Sequence, residues 1–225
     1  MSQLIPLEAP ASLAHQAFGR IVAAIVNGEI APGEIIKEAR IARQLNISRG
    51  PLREAMGRLE GHKLVERIPN IGVRVVALSR EGMEELFELR EALEGLSCRL
   101  AATRMTDGEI DDLARLIDGY MSRSGGPGPD EHDLNDEDFH FRIVRGSRNG
   151  RLINLLCNDI YYQVRVLRHQ SARQPRRLRA AHEEHLAILA ALRTRNPAAA
   201  EAAMRRHIGN ARAVALGGAA ADQTV

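Results

Sequence analysis

One sixteen-residue run, SRGPLREAMGRLEGHK at positions 48–63, restricts the possible folds more than any other part of the chain. Ser48 stands where a helix N-cap belongs, and Pro51 falls in the first turn, where its missing N–H removes no hydrogen bond. Leu52, Ala55, Met56 and Leu59 then form a single apolar stripe. Two β-prone runs follow at once, Leu64–Ile68 and Val73–Val76, separated by PNIG, which has the chemistry of a hairpin turn. Upstream, residues 11–27 carry Leu13, Ala17, Ile21, Ala24 and Ile25 at helical spacing, between Ser12 and Gly28. APGE at 31–34 reads as a turn, and a short helix over 38–45 is expected to bury Ile41 and Leu45. Three helices and a β-hairpin wing in this order make a winged helix-turn-helix, here assigned to residues 1–78.

From Ser79 onward the pattern is helical only, with helices expected at 80–104, 107–122, 131–147, 150–170, 174–195 and 197–216. Leu86, Leu89, Leu93, Leu96 and Leu100 recur in steps of three and four and are expected to face inward. The fold class is therefore mostly α: the winged domain followed by an all-α, six-helix antiparallel bundle over residues 79–225. An apolar share of 44% over 225 residues is enough to build such cores. Cys98 and Cys157 lie far apart without CxxC spacing and read as reduced, buried hydrophobes. No apolar run approaches membrane-spanning length and no export signal is evident, so cytoplasm is the expected compartment.

The charge distribution points to a partner. The net charge of +2 says little, but residues 37–74 hold nine Lys/Arg against four Asp/Glu. A positive excess confined to one short segment suits a phosphate-binding surface. With the apolar stripe turned inward, Arg49 and Arg53 share the opposite side of the third helix, and Gly50 leaves the backbone there free to approach DNA. An Arg fork matches guanine O6/N7 or a phosphate pair. Exposed Arg pairs on helices are usually only solvated. What distinguishes this pair is its place after a cap, before a wing and within the most basic segment. Arg74 on the wing and Asn70 in its turn are further candidates for DNA contact, as is Ser48.

Residues 36–76 closely resemble the winged helix-turn-helix of the GntR family of bacterial transcription regulators. The SR-x-P-x-REA core is matched by Ser48, Arg49, Pro51, Arg53, Glu54 and Ala55, and Glu38 and Gly72 also agree. The resemblance implies that Arg49 and Arg53 touch operator DNA. Some relatives carry a further DNA-contacting Arg early in the second helix; Ala39 takes that place here, with Arg40 one residue displaced. Gly61 is followed by His62 and Lys63 where the family has Gly-Leu.

A second constellation lies in the helical part. Asp136 and His140 are four residues apart in LNDEDFHFRIV, where Phe139, Ile143 and Val144 mark a buried face. His185 interrupts the stripe Leu178, Ala181, Ile188, Leu192, and His207 the stripe Ala200, Ala203, Ala211, Val214. A lone histidine on an apolar face is usually a hydrogen-bonded core residue. Three inward imidazoles and a carboxylate share a desolvation cost that one divalent cation would relieve. Three nitrogens and one oxygen would leave two octahedral positions open for a small carboxylate. His182 and Asp138 are rival ligands.

Residues 79–225 resemble the FCD ligand-binding domain that defines the FadR subfamily of GntR regulators, and six helices in place of seven are similar to its VanR-like branch. DEDFH matches the Asp-x3-His element, EEHLAILAAL the Glu-His helix, and AAAEAAMRRH the last helix. The resemblance implies metal ligation by Asp136, His140, His185 and His207, with zinc, nickel or manganese as the divalent transition metal. Arg90 resembles a family Arg near the effector cavity, although an i,i+4 salt bridge to Glu94 serves equally well. Arg165 is a second effector candidate. The expected function is a homodimeric regulator that binds double-stranded operator DNA and answers to a small organic acid. The alternatives are a metal-free sensor of acyl or apolar ligands and, at longer odds, a metal-dependent enzyme.

Overall fold

The computed structural model describes residues 12–122, 139–172 and 175–218. The chain divides into two compact units, residues 1–76 and 77–225.

The first unit runs α1 (Leu13–Val26), β1 (Ile35–Ile36), α2 (Glu38–Gln44), α3 (Arg49–Gly61), β2 (Val65–Ile68) and β3 (Gly72–Val75). Helix α1 starts at Ser12, whose Oγ accepts from the His15 N–H at 3.2 Å. It buries Ala14, Ala17, Phe18, Ile21 and Val22 against α3, which contributes Leu52, Ala55, Met56 and Leu59, all at most 1% exposed. Strands β2 and β3 pair antiparallel from Val65↔Val75 to Ile68↔Gly72. In the three-residue loop between them Pro69 is followed by Asn70 at φ 62°, and the Ile71 N–H returns to the Ile68 carbonyl at 3.1 Å. Asn is one of the few side chains that accepts this left-handed position after Pro.

Three details of this unit differ from expectation. The hairpin is a three-stranded sheet, since β1 pairs with β3 (Ile35↔Arg74, Ile36↔Val73), giving the order β1-β3-β2. Two residues are too short a run to announce a strand by alternation. In α2 Ala42 is the buried residue, whereas Ile41 and Leu45 are half-buried. Ser48 holds the N-cap position of α3 with extended backbone, but its side chain makes no capping hydrogen bond.

The second unit comprises α4 (Arg80–Arg104), α5 (Asp107–Ser122), α6 (Phe139–Gly146), α7 (Gly150–Asn154), a π-helical turn (Leu155–Asp159), α8 (Tyr161–Ala172), α9 (Pro175–Arg193) and α10 (Pro197–Gly218). The helix expected at 150–170 is thus broken into α7 and α8 by the π turn. Ser79 caps α4 by accepting from the Gly82 N–H at 3.0 Å, and α4 then packs on α10, α6 and α9. At its far end the Arg195 guanidinium donates to the carbonyls of Ala102 (3.3 Å) and Met105 (2.5 Å), satisfying acceptors that a helix terminus leaves open. Gly146 of α6 sits so close to Met105 that a Cβ would lie 2.5 Å from its Cγ.

The inward leucine seam of α4 is a correction. The buried face carries Leu86, Phe87, Arg90, Glu94, Ser97, Cys98, Ala101 and Ala102. Leu89 and Leu96 are 39% and 38% exposed, and Leu93 and Leu100 are half-buried. Small residues allow α10 to come close, and a paired Arg90 and Glu94 fill the polar centre. Leu86 faces inward as expected, and the other four leucines are rotated toward the outside.

Candidate DNA-reading surface and metal centre

On the first unit α3 opens outward with Ser48, Arg49, Gly50 and Arg53 exposed, its buried stripe being turned to α1. Among the described residues no ion pair or side-chain hydrogen bond engages Arg49, Arg53 or Arg40, which is also exposed on α2. Both forks of α3 are therefore available to an outside acceptor. Arg74 is placed differently: its Nε and Nη2 donate to Glu66 Oε1 at 3.0 and 2.8 Å, across the paired positions of the wing. Arg67, which the sequence did not single out, donates to Glu60 (3.2 Å) and Glu38 (3.4 Å). It ties the wing to α3 and α2, and this accounts structurally for Glu38. Asn70 is exposed in the wing turn.

In the second unit His140 from α6, His185 from α9 and His207 from α10 come together, with one ring nitrogen of each within 4.8 Å of the others. His140 and His207 are each 5% exposed. Asp136 and its rival Asp138 lie outside the described residues; His182, half-buried on α9, is not part of the cluster.

What stands behind the imidazoles is as informative as the imidazoles themselves. His140 Nδ1 is 2.6 Å from Glu94 Oε2, and His207 Nδ1 is 2.6 Å from Glu184 Oε2. A carboxylate facing Nδ1 favours the tautomer with the proton there, and in that tautomer each neutral imidazole presents its Nε2 lone pair. Those two Nε2 atoms are 3.2 Å apart. Two lone pairs that close repel unless a proton or a cation lies between them. Nitrogens bound at about 2.0–2.1 Å to one ion would be separated by roughly 3.0 Å at a right angle and 3.4 Å at the tetrahedral angle. The observed spacing falls between, so the donor set fits a divalent transition metal. Phe139 stacks on His185, with centroids 4.3 Å apart, and so orients the third ring.

Each carboxylate is itself anchored. Arg90 Nε donates to Glu94 Oε1 at 2.8 Å, both residues being at most 2% exposed, and the Arg90 guanidinium lies 5.3 Å from the Phe87 ring. Asn210 Nδ2 donates to Glu184 Oε1 at 2.7 Å. Of the two roles open to Arg90, the structure thus contains the salt bridge. Neither carboxylate was singled out in the sequence as a partner of a histidine. Glu184 sits beside His185 and Glu94 four residues after Arg90, but the leucine periodicity of α4 points to the other face.

A small cleft of about 10 Å³, partly open to solvent, lies beside His140 and Glu94. Its other walls are Phe141, Val144, Leu156, Cys157, Tyr161 and Val164, two of them supplied by the π turn. Arg165, next in sequence to Val164, has a buried Nη1 with no hydrogen-bond partner among the described residues.

Comparison with known proteins places both units. Residues 13–75 match the family model of bacterial regulatory proteins, gntR family, and residues 85–210 match the FCD domain. The chain belongs to the GntR family and carries an FCD domain. It is 37% identical over 177 residues to the Nta operon transcriptional regulator of Aminobacter aminovorans, covering 79% of this chain and 82% of that protein. It is 26% identical over 204 residues to the HTH-type transcriptional regulator YdhC of Bacillus subtilis, covering 89% and 90%. Among solved structures, Escherichia coli McbR/YncC superposes with TM-score 0.74 at 20% identity, over 93% of this chain and all of that one. A GntR regulator from Rhodococcus sp. RHA1 gives 0.72 at 23%, over 91% and 97%. These two likenesses concern the fold. This GntR-family chain is a DNA-binding transcriptional regulator with an effector-binding FCD domain; the matching families and relatives are regulators, not enzymes. No helix among the described residues is long and apolar enough to cross a membrane.

Proposed function

We propose that this GntR regulator is a cytoplasmic homodimer whose operator affinity is set by a small carboxylic acid bound beside a metal ion in the FCD domain. Arg49 and Arg53 read the operator, with Ser48, Gly50, Arg40 and Asn70 close to the backbone and Arg74 bracing the wing through Glu66. Two-fold symmetry in the protein would match a palindromic operator and let one modest module read two half-sites.

His140, His185 and His207 would hold the ion, joined by Asp136 from the neighbouring segment. Bound there, the metal supplies a Lewis-acidic positive charge to which a carboxylate can attach. Three imidazole donors favour zinc or nickel over manganese, which prefers oxygen-rich sites. The chain's own part is to hold the rings: Glu94, braced by Arg90, and Glu184, braced by Asn210, fix the two Nδ1 protons. The observation that carries this reading is the 3.2 Å approach of two Nε2 atoms whose Nδ1 atoms are already committed to carboxylates.

The side chains beside His140 and Glu94 are mainly apolar, with Phe141, Val144, Leu156 and Val164 next to Cys157 and Tyr161, which favours an effector with an apolar body as well as an acid group, admitted by widening of the small cleft. Arg165, whose buried Nη1 has no hydrogen-bond partner among the described residues, is the more available of the two candidate arginines for a carboxylate, because Arg90 is occupied by Glu94. The apolar wall is also what favours the second reading, a metal-free sensor of acyl or other apolar ligands.

An effector acts only through a difference in affinity between the DNA-competent and DNA-incompetent states. The test is operator binding by fluorescence anisotropy, with metal-loaded protein and a panel of aromatic, branched and hydroxylated acids. The expected result is a change of about fivefold or more for an apolar acid, abolished by His140→Ala. An unchanged affinity across the panel would contradict the metal-linked reading, and a response that survives chelation would favour the metal-free one.

A further inference from the structure

The leucines turned out of the α4 core have a spacing that reads the same in both directions. Leu89, Leu93, Leu96 and Leu100 are separated by four, three and four residues. They occupy one side of the helix, turned away from Arg90, Glu94, Ser97 and Cys98, with Leu89 and Leu96 exposed. Between them the small Ala92, also exposed, leaves room for a neighbouring helix to approach. An apolar stripe of this kind on the outside of a helix needs a partner.

We infer that α4 is the seam of the homodimer, packed antiparallel on α4 of a second copy about a two-fold axis at the level of Glu94 and Gly95. That axis sets Leu89 against Leu100 of the second copy and Leu93 against its Leu96, so every knob in the stripe finds an apolar counterpart. A parallel pairing would also align leucines, and the charges decide against it. The half of α4 before the axis is acidic, with Glu81, Glu85 and Glu88 exposed and Glu84 and Glu91 half-buried. Of its two cations Arg90 is buried against Glu94, and the exposed Arg80 is held by Glu84 at 3.4 Å and by the Leu216 carbonyl at 3.0 Å. The half after the axis carries Arg99 and Arg104, both exposed, and no acid.

Parallel helices would lay acidic half on acidic half. Antiparallel helices lay each acidic half on the basic half of the other copy, twice by symmetry. Glu88 and Arg99 are the pair best placed to meet. They stand eleven residues apart on one edge of the stripe, about three turns. Each already has a loose partner within its own chain, Glu88 with Arg212 at 3.3 Å and Arg99 with Glu201 at 3.2 Å. Both side chains nevertheless stay half exposed or more, at 64% and 50%.

The opposite face of this same helix carries Glu94, which holds His140. The seam therefore runs along the back of the proposed metal centre, and the inference gives the homodimer of the preceding section a surface and rests on that homodimer.

The test is sedimentation equilibrium on the full chain, with circular dichroism to check that each variant folds. The wild type is expected to be a dimer at micromolar concentration, and Leu93→Glu with Leu96→Glu a folded monomer. Glu88→Arg and Arg99→Glu are each expected to weaken the dimer by about tenfold, and the two together to restore most of it. A dimer unaffected by the leucine pair, or a charge pair whose combination weakens as the sum of its singles, would overturn this seam while leaving the homodimer standing. A wild type that sediments as a monomer would overturn both.

Discussion

At the scale of single residues, carboxylates that touch no ligand decide how firmly the imidazoles are held. Glu184 accepts from His207 Nδ1 and from Asn210, so Glu184→Gln should keep the packing while removing the negative charge and one of the two acceptor oxygens behind the ring. Metal affinity measured by competition with a chromogenic chelator is expected to fall about 10- to 100-fold. His182→Ala, outside the cluster, should leave it unchanged. Cys98 offers a separate check. Burial, reinforced by Glu94 and Glu201, pushes its thiol up to about 12, so it stays protonated at pH 8. Alkylation of the native protein at that pH should label Cys157 in the cleft wall and leave Cys98 intact until the chain unfolds. Gly146→Ala tests the tightest approach in the helical unit. A Cβ 2.5 Å from Met105 Cγ and 2.7 Å from its Sδ must displace that side chain, at an expected cost of about 1–3 kcal/mol in chemical denaturation.

At the scale of elements, α3 and the wing were legible because each step was local: a cap position, Pro51 in the first turn, a four-residue stripe and Pro-Asn before Gly. The three histidines were legible for the same reason, each breaking an apolar stripe at helical spacing. Helix α4 misled because the apolar residues of a helix do not by themselves reveal which face the core takes. Here small residues and a buried ion pair took the inside. The π turn arises where Leu155–Asp159 departs from the α repeat, and no turn residue punctuates it. Sequence signals do explain the start of α5. The Thr106 N–H donates to Glu109 Oε2 at 2.9 Å and the Glu109 N–H to Thr106 Oγ1 at 3.2 Å, a reciprocal capping box. The Thr106 N–H, aided by Arg148, holds the Glu109 carboxyl below the usual carboxylate value. Its stabilising contribution is therefore complete above the unfolded-state pKa and is lost as pH falls through the lowered native value. Glu109→Gln, which removes the titrating carboxylate, is expected to cost about 1 kcal/mol at neutral pH, with a smaller difference in acid, by thermal or urea unfolding.

At the scale of the whole molecule, the two units carry different chemistry: one leaves Arg49 and Arg53 exposed on α3, the other brings three imidazoles together at one point. Replacing Arg49 or Arg53 by Ala should weaken operator binding by about 1–3 kcal/mol and flatten its salt dependence, without altering metal content. Replacing a cluster histidine should remove the ion and the effector response, yet leave the duplex contacts of α3 in place. Such separable losses would mark a sensor joined to a reader. The claim beneath all of this is that His140, His185 and His207 share one cation. Elemental analysis of protein prepared without an affinity-tag metal and then exposed to zinc tests it most directly. About one tightly held ion per chain is expected, lost in folded His207→Ala; no retained ion, or an undiminished ion in every single-histidine variant, would contradict it.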